Sequence, residues 1–342
     1  MTLIVLLSSV SPSLQDNTCS TVREFNDYNA TRSYPMPALS VGRVPEFEQL
    51  RKLDADDSEQ WYLTSRFTKI GSSGNEGLTH VWVNTGDSNT TNIGSCVDIT
   101  WTHSLGKFTF SKEVIERSVD DNGDCKTMLG EECVNALNEH YTRIAASAMY
   151  DGECPRGSDW NTTVPAACAS LVGDNLKWNG GLFGSGSNLS SVYDNRTLAN
   201  SSCDDVEPLN STMHGAGGYG GSYNESIRFP APVFWYFWPN NTSPGNSFPS
   251  SVNDFVHVEI KCMRPDEINE GSEVPPDAEA LYNADGVEFA SSGNDSSDGG
   301  NGGNGGNGGD DDNAASGIAG DARVYAVGSV FGTALFAALM MI

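Results

Sequence analysis

Residues able to do chemistry are few and scattered along this chain. The histidines, His80, His103, His140, His214 and His257, form no close pair, and neither H-E-x-x-H nor G-x-S-x-G occurs. Zinc hydrolysis and acyl transfer from a nucleophile elbow therefore have no motif here. Glycoside hydrolysis asks for less: two carboxylates on either side of a bond, about 5 to 10 Å apart, which can come from distant strands. Asp98, Glu132 and Glu259 are available for that role, and local spacing does not rank them.

Three partial motifs lack the context their chemistry needs. Gly215-Ala-Gly-Gly-Tyr-Gly220 fits G-x-G-x-x-G but follows Thr-Met-His instead of a strand and opens no helix, so it reads as a flexible loop. Asn84-Thr85-Gly86 resembles an aspartic protease loop with its Asp replaced, and no second half of the signature exists to share a proton. Asp120-Asp121-Asn122-Gly123-Asp124 puts Cys125 at the sixth position, where a calcium loop needs its glycine, and has Gly123 too early, which leaves a turn. No cofactor and no metal site are expected.

The most unusual segment is Val233-Phe-Trp-Tyr-Phe-Trp-Pro239. As a strand it puts Phe234, Tyr236 and Trp238 on one side and Trp235 and Phe237 on the other. Flat rings stack on sugar C–H faces, which makes Trp235 and Trp238 candidate glycan-stacking residues. The large apolar area of each ring favours a core strand covered on both sides.

Short stretches that must position such residues read as strands: Thr79 to Val83, Cys96 to His103, Phe108 to Phe110 and above all Phe255 to Cys262. In the last, Val256, Val258, Ile260 and Cys262 alternate with Phe255, His257, Glu259 and Lys261. One helix is clear, from about 128 to 150, where Leu129, Cys133, Leu137, Tyr141, Ile144 and Ala148 recur at steps of three and four. His140 borders that stripe as a packing or capping residue. Several short strands with one long helix predict a mainly β or α+β ectodomain built on an antiparallel, disulfide-stabilised sheet and followed by a disordered stalk.

The eight cysteines are Cys19, Cys96, Cys125, Cys133, Cys154, Cys168, Cys203 and Cys262. With no C-x-x-C pair and no histidine at finger spacing, disulfides are the better reading than zinc. Proximity suggests Cys125 with Cys133 and Cys154 with Cys168, leaving the other four for longer closures. Glycosylation acceptors stand at Asn29, Asn89, Asn161, Asn188, Asn195, Asn200, Asn210, Asn224, Asn240, Asn241 and Asn294, the adjacent Asn240 and Asn241 sharing one glycan. The net charge of -26 argues against a nucleic-acid partner.

Composition divides the chain into a signal peptide over 1–15, a glycosylated ectodomain over 16–264, a stalk over 265–313 and a propeptide over 314–342. The stalk carries thirteen acidic residues, no basic one and a Gly-Gly-Asn repeat, too little apolar surface to offset the entropy of ordering. Val324 to Ile342 is uncharged and apolar. Ahead of it, Asn313-Ala314-Ala315 supplies small residues and 316–323 a polar spacer, the pattern of a glycosylphosphatidylinositol (GPI) attachment signal with Asn313 as acceptor. A retained tail anchor with a cytosolic domain would leave the cysteines and acceptors without purpose.

With these two ends and the stalk, the chain resembles fungal GPI-anchored cell-surface glycoproteins. The likeness is one of architecture and carries no catalytic residue with it. It implies a protein on the extracellular face of the plasma membrane, or transferred to the wall, with the membrane as partner through a lipid and wall polysaccharide as a further partner. The expected function is non-catalytic: structural, adhesive or glycan-binding. The alternative is a surface-displayed glycan-active enzyme whose carboxylate pair local spacing does not reveal.

Overall fold

The computed structural model describes residues 28–44, 47–69, 75–86, 88–104, 107–152, 154, 164–171, 180–183, 212–240 and 252–290. Two antiparallel sheets and a helical layer stack in the order sheet, sheet, helix. The outer sheet has five strands in the order β11-β1-β2-β3-β8: β1 (Ala30–Val44), β2 (Phe47–Lys69), β3 (Glu76–Gly86), β8 (Thr212–Ser222) and β11 (Glu267–Ile268). The central sheet runs β10-β9-β4-β7: β4 (Ile93–Thr100), β7 (Gly180–Phe183), β9 (Ala231–Pro239) and β10 (His257–Met263). A small hairpin, β5 (His103–Ser104) with β6 (Lys107–Phe108), leaves the end of β4.

The central sheet is covered on both faces, and this dictates its sequence. Every residue of β4 and β9 is buried. Trp235 and Phe237 of β9 join Val97, Ile99 and Val233 against Trp61, Leu63, Val81 and Val83 of the outer sheet. Phe234, Tyr236 and Trp238 face the helices with Cys96, Ile260 and Cys262. The alternation read from 233–239 is therefore correct, and both of its sides are core. Gly94 lies opposite Trp238 in the β4–β9 register, and a Cβ there would stand 2.3 Å from the indole. A glycine is required for the ring to lie flat on the sheet.

Nothing in the local sequence marked β1 and β2 as strands. Pro35 and Pro37 sit inside β1, but β11 covers only its first two residues, so the rest is an edge among the described residues. Edge strands tolerate residues without an N–H. Gly215 to Gly220, read as a flexible loop, lies instead within β8 and pairs with β3. A glycine run reads locally as a loop marker, but here it forms an edge strand.

The helical layer comprises α1 (Lys112–Ser118), α2 (Lys126–Leu129) and α3 (Glu131–Asp151). The long helix starts later than about 128 because Gly130, at φ 86°, separates α3 from the single turn of α2. Its buried side is Cys133, Leu137, Tyr141, Ala145, Ala148 and Met149, and Ile144 is half-buried. Asp121, 3 % exposed, accepts hydrogen bonds from the N–H groups of Gly123 (2.8 Å), Cys125 (3.2 Å) and Met128 (2.9 Å). The calcium-like run is thus a turn whose inward carboxylate is spent on backbone donors. That turn holds Cys125 at φ 62°, a left-handed conformation that L residues rarely adopt.

The described disulfides are Cys96–Cys154, Cys125–Cys262 and Cys133–Cys168, with Cα separations of 5.9, 4.9 and 4.9 Å. Both pairings suggested by proximity are overturned. Cys125 bonds to the end of β10, 137 residues away, and Cys133 to the 3₁₀ turn Ala166–Leu171. Sequence distance misled because the sheet brings remote strands beneath the helices. Cys19 and Cys203 lie outside the described residues.

The folded part also continues past 264. Residues 265–290, assigned by composition to the stalk, contain β11 and α5 (Ala278–Tyr282) and belong to the compact unit that extends to Gly293. Four of their acidic residues, Asp266, Glu273, Asp277 and Glu288, have basic partners. Asp266 Oδ2 meets Arg32 at 2.6 Å and Arg264 at 2.9 Å, while Glu273 pairs with Lys69 at 3.2 Å. Phe289 stacks on Phe108 at 5.2 Å, and Leu281 and Val287 pack on the helical core. A composition window sees the acids without the bases that neutralise them. The remaining 291–313 of the assigned stalk lie outside the described residues.

Two outcomes test this packing. Gly94→Ala should destabilise the protein by about 1 to 3 kcal/mol in urea denaturation through overpacking against Trp238. Peptide mass spectrometry without reduction should recover Cys125 joined to Cys262, and a Cys125–Cys133 peptide would refute the arrangement.

Candidate functional site

Trp235 is 2 % exposed and Trp238 is fully buried, so neither ring offers a face to a sugar. Their assignment as glycan-stacking residues is overturned. Trp235 stacks on Phe237 at 6.0 Å and Trp238 packs beside Tyr236 at 6.2 Å. Covering layers on both sides of the sheet take up the apolar area that made the run conspicuous.

The three carboxylates considered for hydrolysis are separated in role. Asp98 of β4 is 4 % exposed, on the helix-facing side of the central sheet, and accepts a hydrogen bond from Tyr141 Oη of α3 at 2.7 Å. Tyr141 itself stacks on Phe234 at 4.5 Å. Burial pushes the Asp98 carboxyl up to about 6, against the opposing effects of the Tyr141 hydroxyl and the Ile99 N–H. Burial together with the Asp98 charge holds the Tyr141 hydroxyl well above its ordinary range. Glu132 is exposed on α3. Glu259 of β10 lies 3.2 Å from His257 and 2.9 Å from Lys261. Burial raises its pKa, but the His257 hydrogen bond and the Lys261 charge outweigh it and hold the carboxylate below its usual range. Asp98 and Glu259 belong to opposite faces of the central sheet: Asp98 is opposite Phe234, whereas Glu259 is opposite Trp235.

A better candidate lies where the outer sheet, the central sheet and a short helix meet. A small cleft with room for about one water molecule is lined by Thr102, His103, Gly220, Gly221, Ser222, Glu225, Ser226, Phe229 and Ala231. His103 comes from β5, the glycines and Ser222 from the end of β8, and Glu225 and Ser226 from α4 (Tyr223–Arg228). Tyr223 anchors α4 by packing on Phe67 at 5.3 Å and donating to the Glu273 carbonyl at 2.6 Å.

Within the cavity the polar groups are oriented by their neighbours. Ser222 Oγ donates to the Glu225 carboxylate. The His103 ring stands edge-on to Phe108 at 5.1 Å, and Phe108 is in turn edge-on to Phe229 at 5.0 Å. Burial lowers the His103 pKa, partly opposed by the Glu225 charge, so at neutral pH the imidazole offers one N–H donor and one acceptor. Thr102 Oγ1 donates to the Pro230 carbonyl at 2.5 Å. The site thus presents an anionic acceptor, an imidazole and hydroxyls beside an aromatic wall.

No known family, characterised protein or solved structure matches this chain. The site must be read from its own residues. His103, Ser222, Glu225 and Ser226 were not singled out as a site, since they come from separate elements. The one local signal was the glycine run ending at Gly220, because glycine in a strand often marks close approach by a ligand or another backbone.

The glycosylation acceptors that are described differ in setting. Asn89 is exposed, and its Oδ1 accepts from the Thr91 N–H at 3.1 Å and the Thr91 hydroxyl at 2.7 Å. Asn29 is half-buried, its Oδ1 accepting from the Lys69 N–H at 2.7 Å. Asn224 and Asn240 are half-buried as well. Asn161, Asn188, Asn195, Asn200, Asn210, Asn241, Asn294 and the attachment residue Asn313 lie outside the described residues, as do 1–15 and 314–342. Among the described residues no cluster of His, Cys, Asp and Glu could hold a metal ion.

Asp98 gives a pH test with a definite sign. Its carboxyl is raised in the folded state, so the fold prefers it protonated. That contribution is fully present below the unfolded value near pH 4 and is lost as pH rises to about 6. Relative to Asp98→Asn, the native protein should lose up to about 3 kcal/mol between pH 4 and pH 7 in urea titrations. Equal pH dependence in the two proteins would contradict a raised carboxyl.

Proposed function

We propose that this chain is a non-catalytic glycoprotein of the cell surface, held on the extracellular face by a GPI lipid attached at Asn313 and able to pass to the wall. Three described disulfides, two of them reaching the central sheet, carry the reading. They close sequence separations of 58, 137 and 35 residues and suit an oxidising compartment, where each adds on the order of 2 to 4 kcal/mol. Among the described residues, no helix is long and apolar enough to cross a membrane. Attachment rests on the small-residue site, the spacer and the apolar tail.

The non-catalytic part of the reading is supported by where the carboxylates go. Asp98 is enclosed in the core with Tyr141, and Glu259 is paired with Lys261 and hydrogen-bonded with His257. The two lie on opposite faces of the central sheet.

Treatment of intact cells with phosphatidylinositol-specific phospholipase should release the protein. An epitope tag placed after Met341 should be missing from the mature product, and Asn313→Trp, which crowds the attachment site, should leave that tag in place. Retention of the tag on the native surface protein would overturn the anchoring. Release of reducing sugars from wall glucan by the purified chain would overturn the non-catalytic reading.

A further inference from the structure

We infer that Asn89 carries an N-linked glycan in the mature protein, whereas Asn29, in an equally good acceptor triplet, stays unmodified and serves as a clamp between strands. The inference rests on the extracellular reading in one respect: only a chain that enters the secretory route meets the transferase. In the transfer, Asn Nδ2 bonds to C1 of a lipid-pyrophosphate-linked oligosaccharide, the C1–O bond breaks, the lipid pyrophosphate leaves and Nδ2 gives up one proton.

The triplets Asn29-Ala-Thr31 and Asn89-Thr-Thr91 are equivalent as motifs, and their settings separate them. Asn89 and Thr91 are exposed in the turn that joins β3 to β4. Backbone bonds from Ser88 to Thr85 at 3.1 Å and from Ile93 to Thr90 at 3.0 Å shape that turn. Asn89 Oδ1 takes both the N–H and the hydroxyl of Thr91, so the triplet closes on itself. Among the described residues its Nδ2 has no hydrogen-bond partner. The turn is anchored from below by Trp61 Nε1, which donates to Ser88 Oγ at 3.0 Å, and by the Asn240 N–H, which donates to the Asn92 carbonyl at 2.7 Å. A glycan on Nδ2 therefore disturbs no contact of the fold.

Asn29 is occupied on every side. Its N–H donates to the Phe67 carbonyl of β2 at 2.8 Å, and its carbonyl accepts from the Asn269 N–H, just past β11, at 2.9 Å. Its Oδ1 accepts from the Lys69 N–H at 2.7 Å, and its Nδ2 donates to Ser272 Oγ at 3.4 Å. The rest of the triplet is equally committed: Ala30 is fully buried and the Thr31 hydroxyl donates to the Ser65 carbonyl at 3.1 Å. This half-buried amide joins the start of β1 to the end of β2 and to the segment after β11. The transferase meets the chain before it folds, so the fold does not choose where sugar is added; it chooses which modified chains close. A sugar on Asn29 Nδ2 stands where Ser272 must come, and such chains do not seat the segment after β11.

The test uses the full chain isolated from expressing cells and treated with a peptide N-glycosidase in oxygen-18 water, which turns each occupied Asn into heavy-oxygen Asp. Peptide mass spectrometry should find the label at Asn89 and none at Asn29. In gel electrophoresis, Thr91→Ala should remove the mass of one glycan, while Thr31→Ala should leave the mass unchanged. The clamp has its own readout: on enzymatically deglycosylated protein, Asn29→Ala should lower the urea midpoint and Asn89→Ala should leave it in place. Should Asn29→Ala fail to fold, the labelling of the native chain still decides the matter. Label at Asn29, or its absence at Asn89, overturns the inference, as does an unchanged midpoint in Asn29→Ala. Label at other acceptors with Asn89 bare sinks this inference alone, whereas label at no acceptor in the chain sinks the glycoprotein reading with it.

Discussion

Burial of one sheet on both faces is the constraint on which the rest of this protein depends. A sheet with one wet face can alternate apolar and polar residues, but a sheet sandwiched between another sheet and a helical layer cannot. β4 and β9 are accordingly buried along their whole length, and β9 carries five aromatic rings in succession. Rings of this size demand space, so Gly94 must lack a side chain opposite Trp238. The same enclosure explains why Asp98 has a raised carboxyl and requires Tyr141: a polar group in such a layer must find a partner within it.

Cross-links and ion pairs close the layers around that sheet. Each described disulfide joins segments that only the tertiary fold makes neighbours: β4 to the segment after α3, the start of α2 to β10, and α3 to the following 3₁₀ turn. Charge works similarly at the C-terminal side. Arg264 donates to Asp266 and to the carbonyls of Val119 and Arg228, while its own backbone exchanges hydrogen bonds with the Tyr34 hydroxyl. These contacts draw 265–290 onto the domain. The exposed pairs among them contribute little singly, and the packing of Phe289, Leu281 and Val287 does more.

The layered design leaves accessible polar groups at its margins and not in the centre. Polar side chains can remain accessible where the short helix α4 leaves the outer sheet and the β4–β5 turn leaves the central one. There His103, Glu225 and the Ser222 and Ser226 hydroxyls share a small cavity beside Phe229. At the end of β8, Gly221 leaves room for the Ser226 hydroxyl, which a Cβ would approach to 2.9 Å.

Local sequence was sufficient where a property depends on near neighbours. Alternation identified β9 and β10, the three-and-four spacing identified most of α3, and an antiparallel, disulfide-stabilised, mainly β or α+β class followed from them. Partners far apart in the chain were decided only by the tertiary structure: Cys125 with Cys262, Asp266 with Arg32, and His103 with Glu225 in one cavity. The physical reason is that a residue's propensity and periodicity act within a few positions. Whether a ring is core or surface, or an acid is solvated or paired, depends on which remote segment covers it.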